Sequence, residues 1–213
     1  GRNAISGGYD EELWVWDLET ARVIRGLANR NGTALSLTVT PDHRWLIAGD
    51  GGGWITFWNL KTWARGRVLA GHYHAVSAIA ISSDGKRMIS GSRDKNLIIW
   101  RLDMNEFEPD RETYGGSVTS LAVSSDGSFC IVGRYNGTIL LKALDMGVVL
   151  NKLVTNQTAI VSLALTLDNA WVISGSNNWT VEISSIASIK SVGIYVGHTG
   201  PVLGIAVVPH SRL

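Results

Sequence analysis

A glycine recurs every 42 residues along this 213-residue chain, and that spacing is the strongest constraint on how the chain folds. An aspartate and a tryptophan recur at the same interval. The positions are Gly7, Gly49, Gly91, Gly133 and Gly175; Asp42, Asp84, Asp126 and Asp168; and Trp16, Trp58 and Trp100. A fixed period of this length is typical of proteins that stack one small unit many times. We therefore interpret residues 1–213 as a single domain of five 42-residue repeats.

Each repeat reads as four short strands, a to d, and the stretch 71–112 shows them most clearly. Apolar and β-branched runs alternate with turns that contain glycine and aspartate, which predicts an all-β, antiparallel fold. In this repeat the predicted strands are Val76–Ile81, Arg87–Ser90, Leu97–Leu102 and the stretch near Phe107–Thr113. The equivalent a strands are Ala34–Thr40, Val118–Ser124, Ile160–Thr166 and Val202–Val208.

Two short motifs add to the period. Gly71-His72 and Gly197-His198 open a repeat, and Trp16-Asp17 stands near the end of one. With four strands in each unit of about 40–45 residues, the chain resembles the WD-repeat β-propellers over its whole length. The resemblance implies a propeller with blades at 29–70, 71–112, 113–154 and 155–196, and with blade pieces at 1–28 and 197–213.

The two end pieces complement each other, because residues 1–28 carry strands b, c and d whereas residues 197–213 carry a Gly-His pair and strand a. We expect the C-terminal strand to pair with the N-terminal three strands, which closes a five-bladed ring and removes exposed sheet edges. The alternative, that the five periods are a fragment of a seven-bladed propeller, stays open. Because the chain begins at Gly1 and not at a methionine, we also expect further sequence upstream.

The resemblance also implies a structural hydrogen-bond chain that links His, Asp, Ser and Trp within an intact blade. One set is His72, Ser90, Asp94 and Trp100, and a second set, split between the termini, is His198, Ser6, Asp10 and Trp16. Buried imidazole and carboxylate groups need partners, so a structural role accounts for these residues. We therefore predict no catalytic residue and no enzyme activity.

The resemblance places partner binding on the face formed by the d–a and b–c loops. The predicted contact residues are Tyr9, Arg93, Tyr135 and Asn177, with Tyr73 and Arg134 as neighbours. Tyrosine and arginine contribute strongly to interfaces because they bury a large area and still form hydrogen bonds. We predict a non-catalytic protein–protein interaction scaffold that binds a protein or peptide and is a subunit or domain of a larger assembly.

Composition argues against other classes of partner. The formal net charge is +1 and 17% of residues are charged, whereas a nucleic-acid or anionic-lipid surface is usually strongly basic. No apolar run approaches the roughly 20 residues that cross a bilayer. A nucleic-acid-binding or small-ligand-binding propeller, or an enzyme using the central funnel, is the alternative.

The remaining candidates for chemistry have simpler explanations. His72 and His74 lack further ligands at a suitable spacing, so no metal and no cofactor is expected. Cys130 is the only cysteine and falls within a predicted b strand, which indicates an inert core residue. A single cysteine gives no reason to expect an oxidising compartment, and we expect an intracellular, cytoplasmic or nuclear, location.

Overall fold

The computed structural model describes residues 2–29, 32–102, 110–113, 115–145, 147–154 and 158–208. Over these residues the chain forms nineteen β-strands and no helix. Consequently no helix in the described part of the chain is long and apolar enough to span a membrane. The predictions of an all-β WD-repeat type of fold and of antiparallel repeats are confirmed.

The strands form five antiparallel sheets, and within each sheet neighbours in sequence are neighbours in space. The first sheet contains β1 (Asn3–Gly7), β2 (Glu12–Asp17) and β3 (Arg22–Ala28). The second contains β4 (Ala34–Val39), β5 (Trp45–Asp50), β6 (Trp54–Asn59) and β7 (Arg65–Ala70), and the third β8 (Val76–Ile81), β9 (Arg87–Ser92), β10 (Asn96–Arg101) and β11 (Asp110–Thr113). The fourth contains β12 (Val118–Val123), β13 (Phe129–Arg134), β14 (Thr138–Ala143) and β15 (Val149–Val154), and the fifth β16 (Ile160–Leu165), β17 (Trp171–Ser176), β18 (Thr180–Ser185) and β19 (Lys190–Val196).

The sheets pack side by side through their first strands, as the blades of a propeller do. β8 contacts both β4 and β12, and β12 contacts β16. The apolar core accordingly lies between neighbouring sheets: Ile89 and Leu97 of the third sheet cluster with Val118 and Cys130 of the fourth. Each blade therefore depends on the next one to cover its apolar face.

The 42-residue glycine spacing reflects this blade-to-blade packing. A Cβ atom added to Gly91 on β9 would lie 2.2 Å from Cγ1 of Val118 on β12. At Gly49 the nearest atoms of the next blade belong to Val76, at 2.6 Å, and at Gly133 to Ile160, at 2.8 Å. These positions take glycine because the first strand of the following blade occupies the space of a side chain.

In the repeat 71–112, strand a is observed at its predicted bounds, Val76–Ile81. Strand b continues two residues further than predicted, to Ser92, and strand c begins one residue earlier, at Asn96. Strand d is described only as Asp110–Thr113, and residues 103–109 lie outside the described part.

The C-terminal segment departs from the prediction. Residues 202–208 form no strand, and the sheet that contains β1 has three strands among the described residues. The segment is held at its start, where the Val202 N–H donates to the Ser176 carbonyl (3.2 Å) and its carbonyl accepts the Ser162 hydroxyl (2.7 Å). Beyond that point Leu203 and Val208 are 74% and 76% exposed.

The predicted a strand at Val202–Val208, and its pairing with the N-terminal sheet, are therefore not observed in the part of the chain that is described. The backbone of this segment is held at Val202, which joins Ser162 on β16 and Ser176 on β17. Among the residues that the structure describes, no strand forms with residues 202–208 the ladder of backbone hydrogen bonds that defines a β-strand.

Candidate functional site

The third sheet contains a continuous chain of hydrogen bonds between four side chains. Trp100 Nε1–H donates to the Ser90 hydroxyl (2.8 Å), and that hydroxyl lies 2.8 Å from His72 Nε2. His72 Nδ1 lies 3.0 Å from Asp94 Oδ2. The side chain of His72 is fully buried, and that of Asp94 is 6% exposed. The four residues come from β9, β10 and the turns that adjoin β8 and β10.

Local backbone structure places each member of this set. The Asp94 carboxylate also accepts the N–H groups of Tyr73 and Asn96, each at 2.9 Å, so it ties the turn before β8 to the turn before β10. Gly71 is needed beside His72, because a Cβ atom there would lie 2.5 Å from the Trp100 ring. The glycine of the Gly-His pair thus leaves room for the Trp100 indole. The histidine of the pair is linked to that indole by the Ser90 hydroxyl.

A neutral His72 allows every side chain of the set both to donate and to accept as its chemistry requires. Ser90 accepts from the indole and donates to Nε2 of His72, whose Nδ1–H then donates to Asp94. Burial lowers the pKa of His72, although Asp94 opposes this effect. Burial raises the pKa of Asp94, but the N–H groups of Tyr73 and Asn96 and the contact with His72 outweigh it, so the net pKa is lowered.

The lowered pKa of His72 predicts that acid destabilises the protein. The unfolded chain takes up a proton near the ordinary histidine pKa of about 6.5, whereas the folded protein resists protonation to lower pH. The unfolded state therefore binds more protons, and the free energy of unfolding should fall as the pH decreases below about 6.5. Urea unfolding at pH 7.5, 6.5 and 5.5 measures this dependence.

A His72→Gln variant is the control, because glutamine cannot titrate. We expect its free energy of unfolding to change less between pH 7.5 and 5.5 than that of the wild type. Equal pH dependence in the two proteins would contradict the assignment of a neutral, buried His72.

The second set, divided between the termini, is not assembled among the described residues. Trp16 Nε1–H donates to the Ser6 hydroxyl (2.8 Å), which reproduces one link. Asp10, however, accepts the Trp14 indole N–H (3.1 Å), and His198 is exposed, with no hydrogen bond to Asp10 in the described structure. This agrees with residues 202–208, which form no strand with the sheet of β1 in the described structure.

The second and fourth sheets lack some members of the His–Ser–Asp–Trp set and carry other residues at those positions. In the second sheet Ala48 stands at the serine position, and the buried Trp58 indole N–H has no hydrogen-bond partner among the described residues. In the fourth sheet Lys142 stands at the tryptophan position and is fully buried. It pairs with Glu112 on β11 and donates to the Gly147 carbonyl (2.6 Å). Sequence reasoning missed this pair, although a lysine at a core position signals that a carboxylate must lie nearby.

Three of the predicted partner-face residues meet at one cavity of about 530 Å³. Arg93, Tyr135 and Asn177 occupy equivalent positions in three successive blades, and all three are exposed. The cavity lies where the first strands of four sheets converge, and its lining there consists of Leu35, Ser77, Thr119 and Val161 with Ser117, Ala159 and Ile160. The backbone N–H of each of the three predicted residues donates to a carbonyl just before the a strand of its own sheet, in Ala75, Ser117 and Ala159.

The other predicted face residues lie elsewhere. Tyr9 and Tyr73 are 84% and 83% exposed and do not line this cavity, and the Arg111 guanidinium lies over the Tyr73 ring at 4.8 Å. The prediction that Arg134 contributes to the partner-binding face is wrong, because Arg134 is only 7% exposed and its Nε–H donates to the Thr138 hydroxyl (2.6 Å). Arg134 is equivalent to Ser92, whose side chain is also buried, and it is therefore not available to a partner.

The one cysteine, Cys130, is a buried free thiol. Burial raises the pKa of Cys130 to about 12, so the thiol stays protonated and is a poor nucleophile. Within the described ranges, no three His, Cys, Asp or Glu side chains converge so that they could hold a metal ion.

The five antiparallel sheets, packed against one another through their first strands, and the buried His–Ser–Asp–Trp set are features of a repeat protein of the β-propeller class. The family model for the WD domain, G-beta repeat, matches residues 63–101 and 109–141. These two matches, which cover about a third of the chain, support a WD-repeat family. A search of curated proteins finds no match. WD repeats generally mediate protein–protein interaction or scaffolding, and proteins that contain them are typically non-catalytic.

Proposed function

We propose that this protein is a non-catalytic recognition module that binds an extended segment of a partner protein at the cavity around Arg93, Tyr135 and Asn177. The observation that carries this proposal is the convergence of these three exposed side chains over one cavity. Each projects from the same turn of its own blade, so the three blades present polar groups at a regular spacing.

The chemistry of the cavity favours a peptide that carries an anionic group. Arg93 is the one charged residue of the lining, while Leu35, Ile160 and Val161 give it an apolar wall. The Ser117 and Thr119 hydroxyls already donate to backbone carbonyls within the protein. Arg93, Tyr135 and Asn177 therefore supply the hydrogen-bonding groups that remain for a ligand.

The test begins with peptides selected from a displayed random library on the wild-type protein, which requires no prior choice of partner. We expect Arg93→Ala and Tyr135→Ala each to weaken binding of a selected peptide about tenfold or more, as interface hot spots do. Fluorescence anisotropy measures the dissociation constants. Tyr195→Ala is the matched control, because Tyr195 is 59% exposed on β19, away from the cavity.

Unchanged affinity in both Arg93→Ala and Tyr135→Ala would exclude this cavity as the binding site. A salt titration separates nucleic-acid binding from peptide binding, because a site that neutralises many phosphates loses affinity steeply as the salt concentration rises. We include an intracellular location in this proposal, on the basis of the single, buried and unreactive cysteine.

A further inference from the structure

A second hollow lies at the opposite ends of the strands, between the second and third sheets. Its volume is about 540 Å³, and it is lined by the turns that follow β4 and β8 and by the outer strands β6 and β7. Pro41 in the first turn approaches Gly85 in the second, so the two turns form the rim together. None of its lining residues belongs to the cavity around Arg93.

The floor of this hollow is aromatic and apolar. The rings of Trp45 and Phe57 meet edge to face, with centroids 6.4 Å apart and planes at 73°. Trp45 and Leu102 are half-buried and pack on the core beneath them. Gly66 leaves room for the Trp45 indole, because a Cβ atom there would lie 2.7 Å from the ring. A large apolar or aromatic side chain of a ligand would bury its surface against this floor.

Next to this hollow is a polar recess of about 320 Å³ that shares Asp84 with it and is otherwise lined by Lys86, Arg87 and Arg101. Among the described residues, none of these three cations has a carboxylate within ion-pair distance. The Asp84 carboxylate is instead held in its own turn, where it accepts the Ser82 hydroxyl (2.5 Å) and the Lys86 N–H (3.0 Å).

The charges of the polar recess are unbalanced. Its described lining residues are three cations (Lys86, Arg87 and Arg101) and one carboxylate (Asp84), which gives a local net charge of 3 − 1 = +2. The whole chain carries only +1. Hydrogen bonds from the Thr40 and Ser82 hydroxyls lower the pKa of Asp42 and Asp84 respectively, so both carboxylates carry a negative charge at neutral pH.

We propose that this groove binds an acidic peptide segment of a partner protein. A phenylalanine or a large aliphatic side chain of the segment enters the hollow over Trp45 and Phe57. Carboxylates beside it face Lys86, Arg87 and Arg101, where they relieve the mutual repulsion of the three cations. A nucleic acid is disfavoured, because Asp42 and Asp84 would face its phosphates and the excess of positive charge is small.

The probe for this site is a fluorescein-labelled nine-residue peptide with a central phenylalanine between two pairs of glutamates. We expect it to bind the wild-type protein in anisotropy measurements at low salt. The triple variant Lys86→Gln, Arg87→Gln and Arg101→Gln should weaken binding at least tenfold. A peptide with alanine in place of the phenylalanine, and one with glutamines in place of the glutamates, should each lose a similar factor.

Two control proteins keep the test specific. Arg22→Gln with Arg25→Gln removes exposed cations from β3 of another blade, and Arg93→Ala disables the cavity of the proposed function. We expect both to bind the probe as the wild type does, so this site succeeds or fails independently of that proposed function. Unfolding temperatures of all variants show that a loss of binding is not a loss of fold.

The proposal is overturned if the triple variant binds the probe as tightly as the wild type, or if the alanine peptide binds as tightly as the phenylalanine peptide. The first result would show that the three cations do not take part in binding. The second would show that the peptide binds only by unspecific charge attraction. Tighter binding of a twelve-nucleotide oligothymidylate than of the peptide, lost in the triple variant, would assign the groove to nucleic acid and also overturn it.

Discussion

Replacing Gly91 by alanine is expected to lower the free energy of unfolding by about 1–3 kcal/mol, the usual range for forcing extra volume into a packed core. The new methyl group would lie 2.2 Å from Cγ1 and 2.9 Å from Cβ of Val118. Val118 is fully buried in the apolar cluster between the third and fourth sheets. The two blades must separate slightly, which loosens the apolar contacts between them.

Gly115→Ala is the matched control for this prediction. A methyl group added to Gly115 would have no heavy atom within 4 Å, and this glycine lies in an exposed connection of the same region. We expect its free energy of unfolding to stay within about 0.5 kcal/mol of the wild type, as at most surface positions. Urea or thermal unfolding measures both variants. Equal stability of Gly91→Ala and Gly115→Ala would show that the repeated glycine does not serve blade packing.

Replacing Asp94 by alanine is expected to lower the free energy of unfolding by about 2–4 kcal/mol, because buried donors lose a charged acceptor. His72 Nδ1–H and the N–H groups of Tyr73 and Asn96 all donate to this carboxylate. For a chain of this length such a loss lowers the unfolding temperature by roughly 4–16 °C.

Asp10 occupies the equivalent position in the first sheet and makes Asp10→Ala the control. In the structure it is exposed and accepts only the Trp14 indole N–H from another side chain. We therefore expect its replacement to cost about 0.5 kcal/mol or less. A loss at Asp10 as large as that at Asp94 would show that His198 does reach Asp10, and that the termini close one blade.

Most of the repeat architecture was predictable from the sequence because it rests on local signals. Alternating runs and Asp-Gly turns define strands a few residues long, and strand a at Val76–Ile81 is observed at its predicted bounds. The set around His72 could be named because its members recur at fixed positions within one repeat. These features depend on contacts between residues that are close in the chain or in one sheet.

The candidate sites were less accessible to sequence reasoning, because they depend on which way a side chain points. Arg134 and Tyr135 are neighbours in the chain, yet the first is buried and the second is 64% exposed. Arg134 is the last residue of β13, whose side chains are buried on both faces, whereas Tyr135 stands in the turn that follows the strand. Comparison of Arg134 with the serine at position 92 of the preceding repeat was the signal that could have placed it inside.

The sequence by itself determined the all-β class, the 42-residue unit and the hydrogen-bonded set in the third sheet. Only the tertiary structure decided that Lys142 is buried against Glu112, that Arg93, Tyr135 and Asn177 share a cavity, and that residues 202–208 stay outside the sheet of β1. The physical reason is the same in each case. These outcomes depend on how one blade packs against another. The residues that meet there are tens of positions apart in the chain, and no local sequence pattern shows that they are close in space.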